Sequence, residues 1–276
     1  MNHGQGNSDM QNTDFGPQGS PLSVAIAQRD RDALNLVREA LQKKRVRLAF
    51  QPIVQANCPD RMAFYEGLLR VMDPTGRVIP AKDFIDSVED TEMGRMLDAL
   101  ALEKGLEALS CEPSLRLSIN MSARSIGYPG WKKVLDRGLQ DDPTVAERLI
   151  LEITERTAIS LPDLVQVFMA DMQRKGISFA LDDFGAGYTS FKYLKDFYFD
   201  ILKIDGDFIR GIHDNADNQI LAEAMISVAR HFDMFTVAES VESYEDAAYL
   251  TSIGVDCMQG YYFGAPTLSP YWQKVA

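Results

Sequence analysis

Residues 178–191 read SFALDDFGAGYTSF. An apolar run from Ile177 ends on two adjacent carboxylates, Asp182 and Asp183, and two glycines, Gly185 and Gly187, follow at once. The run reads as a buried strand, since a strand covered on both faces is apolar throughout rather than alternating. Two like charges side by side raise each other's pKa and cost stability unless positive charge lies between them. A solvated turn would also account for the pair. The other strands decide between the two.

The pattern recurs along the chain. Strands are expected at RLAFQPIV (47–54), MAFYEGLLRV (62–71), LRLSIN (115–120), RLILEIT (148–154), ISFALDD (177–183), DILKID (200–205), FTVAES (235–240) and GVDCMQG (254–260). Helical patterns at about 81–110, 130–140, 160–175, 215–232 and 244–252 separate most of them. This alternation predicts a parallel sheet. Seven or eight strands in roughly 230 residues fit a TIM-like (β/α)8 barrel, which takes about 250. No GxGxxG or P-loop follows the first strand, which argues against a nucleotide-binding doubly wound sheet. No helix separates the first two strands, so the first is expected to be irregular.

Polar residues interrupt these runs at equivalent places. Glu66 and Arg70, Asn120, Glu152, the Asp182–Asp183 pair, Lys203, Glu239 and Gln259 all fall at or near the carboxyl ends of strands. In a barrel those ends converge on one mouth. One such residue reads as a cap, but a series in register does not. Glu66, Asn120, Glu152 and Asp182 supply oxygen ligands for one divalent cation, and Asp183 and Glu239 help hold a second with Asp182 bridging. Lys203 suits the stabilisation of developing charge, and Arg70 suits a phosphate. The three histidines (His3, His213, His231) form no HxH or HExxH pattern, and Cys58, Cys111 and Cys257 lack metal spacing. Zinc sites of the His/Cys type and histidine triads are therefore disfavoured, and hard cations such as Mg²⁺ or Mn²⁺ are favoured.

Of the 276 residues, 28 are Lys or Arg against 40 Asp or Glu, a net charge of −12. Such a surface suits neither duplex nucleic acid nor an anionic membrane. It is compatible with a small anionic ligand whose site brings its own positive charge. No apolar stretch is long enough to span a bilayer and no signal peptide is visible, so a cytoplasmic location is expected. Residues 1–22 are polar and rich in Gly, Asn, Gln and Ser, and are expected to be disordered. Residues 23–45 read as an amphipathic helix, with Ile26, Leu34, Val37 and Leu41 near helical spacing. Its expected role is packing on the domain at 46–276, with a protein partner as the alternative.

Together the stretches FQPIV, YEGLLR, SINMSARS, LILEITE, LDDFGAGYTSF, ILKIDGDFI, VAESVE and MQGYYFGAP resemble the EAL domain family over about residues 45–270. The resemblance implies a TIM-like barrel with an irregular first strand. It implies a two-metal phosphodiesterase that hydrolyses cyclic di-GMP to linear 5′-pGpG in bacterial signalling. Glu66, Asn120, Glu152, Asp182, Asp183 and Glu239 then fall on metal positions, Lys203, Glu239 and Glu66 on catalytic ones, and Gln51, Leu68, Arg70, Pro80 and Gln259 near substrate. Glu155 matches an acid that braces the loop after Asp183, through which homodimers are implied, and Glu242 a second acid of the late motif. This chain departs from the pattern in reading EGL rather than EAL at 66–68, with Val71, Ser240, FYFDILKID and residues 84–95 also unusual. Gly67 and Ser240 are expected to loosen the metal geometry without removing a ligand. The alternative is a cyclic di-GMP receptor or partner-binding module without turnover.

Overall fold

The computed structural model of the chain describes residues 21–187 and 194–273. The first half contains α1 (Pro21–Gln42), β1 (Val46–Gln55), β2 (Cys58–Met72), β3 (Val78–Pro80), α2 (Ile85–Val88), α3 (Glu92–Cys111), β4 (Leu117–Asn120) and α4 (Pro129–Asp141). The second contains β5 (Leu149–Thr154), α5 (Glu155–Ser160), α6 (Pro162–Gln173), β6 (Ser178–Phe184), β7 (Ile201–Ile204), α7 (Gly206–Ile209), α8 (Ala216–His231), β8 (Phe235–Ala238), α9 (Tyr244–Ser252) and β9 (Cys257–Gln259). The sheet runs β1-β9-β8-β7-β6-β5-β4-β2, and pairing of β1 with β2 closes it into an eight-stranded barrel. From β2 round to β9 the barrel neighbours are parallel. The irregularity expected of the first strand is a reversal: β1 is antiparallel to both β2 and β9.

Alternate residues of a strand share a face, and this places the site. Ile53, Phe64, Ile150, Ala180, Ile201 and Val237 form one buried apolar layer inside the barrel. Two residues nearer the mouth on the same strands stand Gln51, Glu66, Glu152, Asp182, Lys203 and Glu239. The intervening residues, among them Leu117, Leu151, Phe179, Leu202 and Ile204, face outward into the main core under the helices. At the floor, Asp200 accepts a bond from the Phe179 amide, and Asp256 accepts from the amide and hydroxyl of Thr236, each at 2.8 Å. These carboxylates satisfy amides at the floor end of the barrel.

No helix lies between β1 and β2, so other segments cover their outer face. Phe50 and Thr267 exchange backbone hydrogen bonds of 2.8 and 3.0 Å. Trp272 then packs edge-on against Phe50 and Tyr65. On the other flank, Val37 and Ala40 of α1 are fully buried against Val46, Val71, Ile79, Phe84, Val88 and Leu97. The last turns of α1 are thus part of the barrel's packing.

Several boundaries differ from the sequence reading. The expected helix at 81–110 divides into a short turn, α2 and α3, with Thr91 capping α3 by accepting a bond from the Met93 amide. The expected helix at 160–175 is α6, Pro162–Gln173, and a separate α5 precedes it, ending before Pro162 because a proline disfavours helical backbone at the residue before it. β3 is additional; Asp73 accepts bonds from Thr75 and Arg77 and folds DPTG into a turn. The helix expected at 23–45 spans Pro21–Gln42. Residues 1–20 of the expected disordered tail lie outside the described residues, as do 188–193 of the loop after Asp183. Among the described residues, no helix is long and apolar enough to cross a membrane.

Candidate active site

Two neighbours on a regular strand point to opposite faces, so Asp182 and Asp183 should not share a site. A one-residue bulge resolves this. Leu181 pairs with Leu202 but Phe184 pairs with Ile204, so β6 spends three steps where β7 spends two. Asp183 takes φ +55°, in the left-handed region that Asp tolerates better than most residues. Asp182 stays buried inside the barrel while Asp183 is brought to its mouth. One oxygen each of Asp182, Asp183 and Glu239 then lies within 4.8 Å of the others.

Lys203 stands at the centre. Its Nζ lies 2.7 Å from Glu239, 2.9 Å from both Glu152 and Asp182, and 3.6 Å from Glu66. Burial disfavours its charge, but Asp182, Glu152, Glu239 and Glu66 outweigh that and hold its pKa well above the usual lysine value. Burial pushes the Glu152 carboxyl up to about 8, with Glu66 adding to the shift and Lys203 opposing it. Glu239 is raised in the same way, burial first, against Lys203. Asp183 is pushed up to about 6 by desolvation and by the Asp182 charge.

The opposite wall is a hydrogen-bonded chain. Asn120 Nδ2 donates to Glu66 Oε1 at 2.9 Å, and Gln259 Nε2 donates to Glu66 Oε2 at 2.6 Å and to Gln51 Oε1 at 3.2 Å. Gln51 Nε2 donates in turn to the Gly264 carbonyl at 3.1 Å. The amides fix both oxygens of Glu66 and leave Asn120 its carbonyl oxygen for a cation. Leu68 and Arg70 continue the inward face of β2, with Pro80 of β3 paired opposite Arg70. Arg70 is half-buried, which lowers its pKa against the pull of Glu66.

The expected braces differ. Glu155 is buried and its Oε2 accepts from the Gly185 amide at 3.3 Å, where the backbone turns at φ +103°. Glu242 is exposed, and no hydrogen bond or ion pair joins it to a described residue. Ser118 was not foreseen. It is fully buried two residues before Asn120, on the same inward face, and its hydroxyl donates to the Tyr65 carbonyl at 3.5 Å. The alternation in LRLSIN carried that signal.

The donor set fits divalent cations. Four carboxylates (Glu66, Glu152, Asp182, Glu239) surround the single ammonium of Lys203, and a fifth, Asp183, lies beside Asp182 and Glu239. Glu152 Oε1 is buried with no hydrogen-bond partner among the described residues. A buried carboxylate oxygen left in that state is costly, and a hard cation would satisfy it.

The sequence profile of the EAL domain family matches residues 34–266. The chain belongs to the EAL domain family. The cyclic di-GMP phosphodiesterase PdeB of Shewanella oneidensis is 31% identical over 234 residues, which are 83% of this chain and 27% of that protein. The cyclic di-GMP phosphodiesterase PdeF of Escherichia coli is 32% identical over 238 residues, 84% of this chain and 31% of that one. The chain therefore spans about a third or less of the length of these curated relatives. The structure of the PaMucR phosphodiesterase in complex with c-di-GMP superposes with a TM-score of 0.74 at 29% identity, covering 86% of this chain and 97% of that one.

Two departures of this EAL domain have a physical setting. A methyl group on Gly67 would lie 2.6 Å from Cδ1 of Ile119, which fills the space that an alanine would take. β2 keeps register through Gly67 with both neighbours, Phe50 and Ile119. Ser240 adopts φ +57°, where glycine is at ease, and its hydroxyl accepts from Arg210 Nη2 at 3.2 Å. It packs over Gly206, where a Cβ would come within 2.4 Å of that hydroxyl. Both neighbourhoods are filled by side chains of the fold.

Proposed function

We propose that this EAL domain is a metal-dependent phosphodiesterase that hydrolyses cyclic di-GMP to linear 5′-pGpG. The observation that carries the proposal is the pairing of four carboxylates with Lys203, flanked by Asp183 and Asn120, with a buried Glu152 oxygen left without a hydrogen-bond partner among the described residues. Glu66, Asn120, Glu152, Asp182, Asp183 and Glu239 would hold Mg²⁺ or Mn²⁺. Bound there, the cations supply Lewis acidity toward a phosphodiester and toward water.

The chain's own residues do the rest. Lys203, kept cationic by its carboxylate partners, offers positive charge to developing negative charge at the mouth. Arg70, above Glu66 on the same face of β2, suits a bidentate grip on a phosphate oxygen pair. Leu68 and Pro80 give that rim an apolar wall, while Gln259 and Gln51 hold Glu66 in one orientation. The net charge of −12 makes these local cations necessary for an anionic dinucleotide. A cytoplasmic location, a homodimer through the loop after Asp183 and a protein partner for α1 belong to the same proposal.

Purified protein is incubated with cyclic di-GMP and Mg²⁺ or Mn²⁺, and products are separated by chromatography. The expected result is pGpG, with its formation stopped by a chelator and abolished in Asp182→Asn. Intact cyclic di-GMP bound tightly by the protein would replace the enzyme by a receptor.

A further inference from the structure

Asp98 lies in the interior of α3, seven residues in from its N-terminus. Its Oδ2 accepts two hydrogen bonds from outside its own helix: one from the Ser122 amide at 3.1 Å and one from the Ser125 hydroxyl at 2.6 Å. Ser125 is fully buried. The segment thus gripped leaves β4 at Asn120. Between them the Met121 amide bonds to the Glu152 carbonyl at 2.9 Å. The backbone after Asn120 is therefore pinned at two successive amides, once to β5 and once to α3.

Asn120 needs such support more than its neighbours do. Glu66, Glu152, Asp182 and Lys203 are buried in the barrel, whereas Asn120 is exposed at the rim. Its side chain is tied to Glu66 by a single hydrogen bond from its amide nitrogen, which leaves its carbonyl oxygen unheld by that contact. The direction of that oxygen follows from where the backbone sends Cβ, and the backbone direction is set by the two pins. Groups that orient a metal ligand through hydrogen bonds typically affect metal affinity about 10–100-fold.

We propose that Asp98 is a positioning residue for the Asn120 ligand, acting through Ser122 and Ser125; this rests on the metal-dependent reading above. An acceptor at the Oδ2 position is what the role requires, and a negative charge is not. Asparagine can present its carbonyl oxygen there and keep both bonds, whereas alanine removes both.

The test measures Mn²⁺ binding to the full chain without substrate, by the loss of the free-ion electron paramagnetic resonance signal. Wild type, Asp98→Ala, Asp98→Asn and Ser125→Ala are compared after circular dichroism confirms that each is folded. The expected result is affinity about tenfold weaker in Asp98→Ala and restored to within about threefold of wild type in Asp98→Asn. Ser125→Ala, which removes the shorter bond, is expected to weaken binding several-fold, and it carries the test alone if Asp98→Ala does not fold. Wild-type affinity in folded Asp98→Ala, or in Ser125→Ala, overturns the inference. Equal losses in the alanine and asparagine variants overturn it as well, because charge rather than the hydrogen bonds would then be responsible. Wild-type protein that binds no Mn²⁺ overturns the metal-dependent reading itself, and the inference with it.

Discussion

Lys203 Nζ lies 2.9 Å from Glu152 Oε2, with 1% and 0% of the two side chains open to solvent. A buried pair of this kind adds little net stability, but removing one partner strands the other. Lys203→Ala would strand Asp182, and at pH above about 8 Glu152 with it. The metal-free variant is expected to lose about 3 kcal/mol or more in urea denaturation. Turnover should fall much further than cyclic di-GMP affinity. Equal losses in the two would make Lys203 a binding residue instead.

The raised pKa of Glu152 makes stability depend on pH. Its carboxyl titrates at about 8 in the folded protein against 4.5 for an unperturbed glutamate. The folded state holds the proton more tightly, so this stability is complete below about 4.5 and is lost as pH rises towards about 8. Glu239 is shifted in the same direction. Metal-free protein should therefore lose stability, and melt at progressively lower temperature, from pH 5 to pH 8. Cation binding needs the deprotonated forms, so Mg²⁺ should stabilise most at the alkaline end. Glu152→Gln should flatten the metal-free profile. Parallel profiles for wild type and variant would contradict this assignment.

Gly67 and Ile119 should be coupled. Gly67→Ala forces a methyl against Ile119 Cδ1 and is expected to cost about 1–2 kcal/mol. Ile119→Val deletes that same carbon and is expected to cost about 1 kcal/mol. The double variant should be about as stable as Ile119→Val alone, a coupling of about 1–2 kcal/mol in a denaturation cycle. Additive losses would mean that the two residues do not share the space.

At Ser240 the strain and the hydrogen bond oppose each other. Left-handed backbone costs a non-glycine residue about 1 kcal/mol, while an exposed bond to Arg210 returns less. Ser240→Gly should therefore raise the urea midpoint. A lower midpoint would show that the Arg210 bond dominates.

Most of the site was legible because strands repeat every two residues. Phe64 and Glu66, Ile150 and Glu152, or Ile201 and Lys203 each show an apolar floor residue followed by a polar mouth residue. What could not be read depends on contacts distant in sequence. The bulge that turns Asp183 towards Asp182 shows only in the pairing of β6 with β7. The fit of Gly67 depends on a side chain from β4. Asp98 has the spacing of an ordinary helix acid, and only folding brings Ser122 and Ser125 to it. Glu242 reads as a motif acid, yet it ends exposed, because alternation fails once β8 has ended at Ala238.

The reversal of β1 also decides where the chain is threaded into the barrel. Val46 pairs with Val71, and the Met72 amide bonds to the Arg45 carbonyl at 2.9 Å, so β1 starts beside the last residues of β2. A regular (β/α)8 chain comes in at the floor, on the far side from its catalytic opening. Here the doorway and the opening share one rim. The handle at that doorway is α1, whose buried residues share a core cluster with Ile79, the neighbour of Pro80, which lies across the ladder from Arg70.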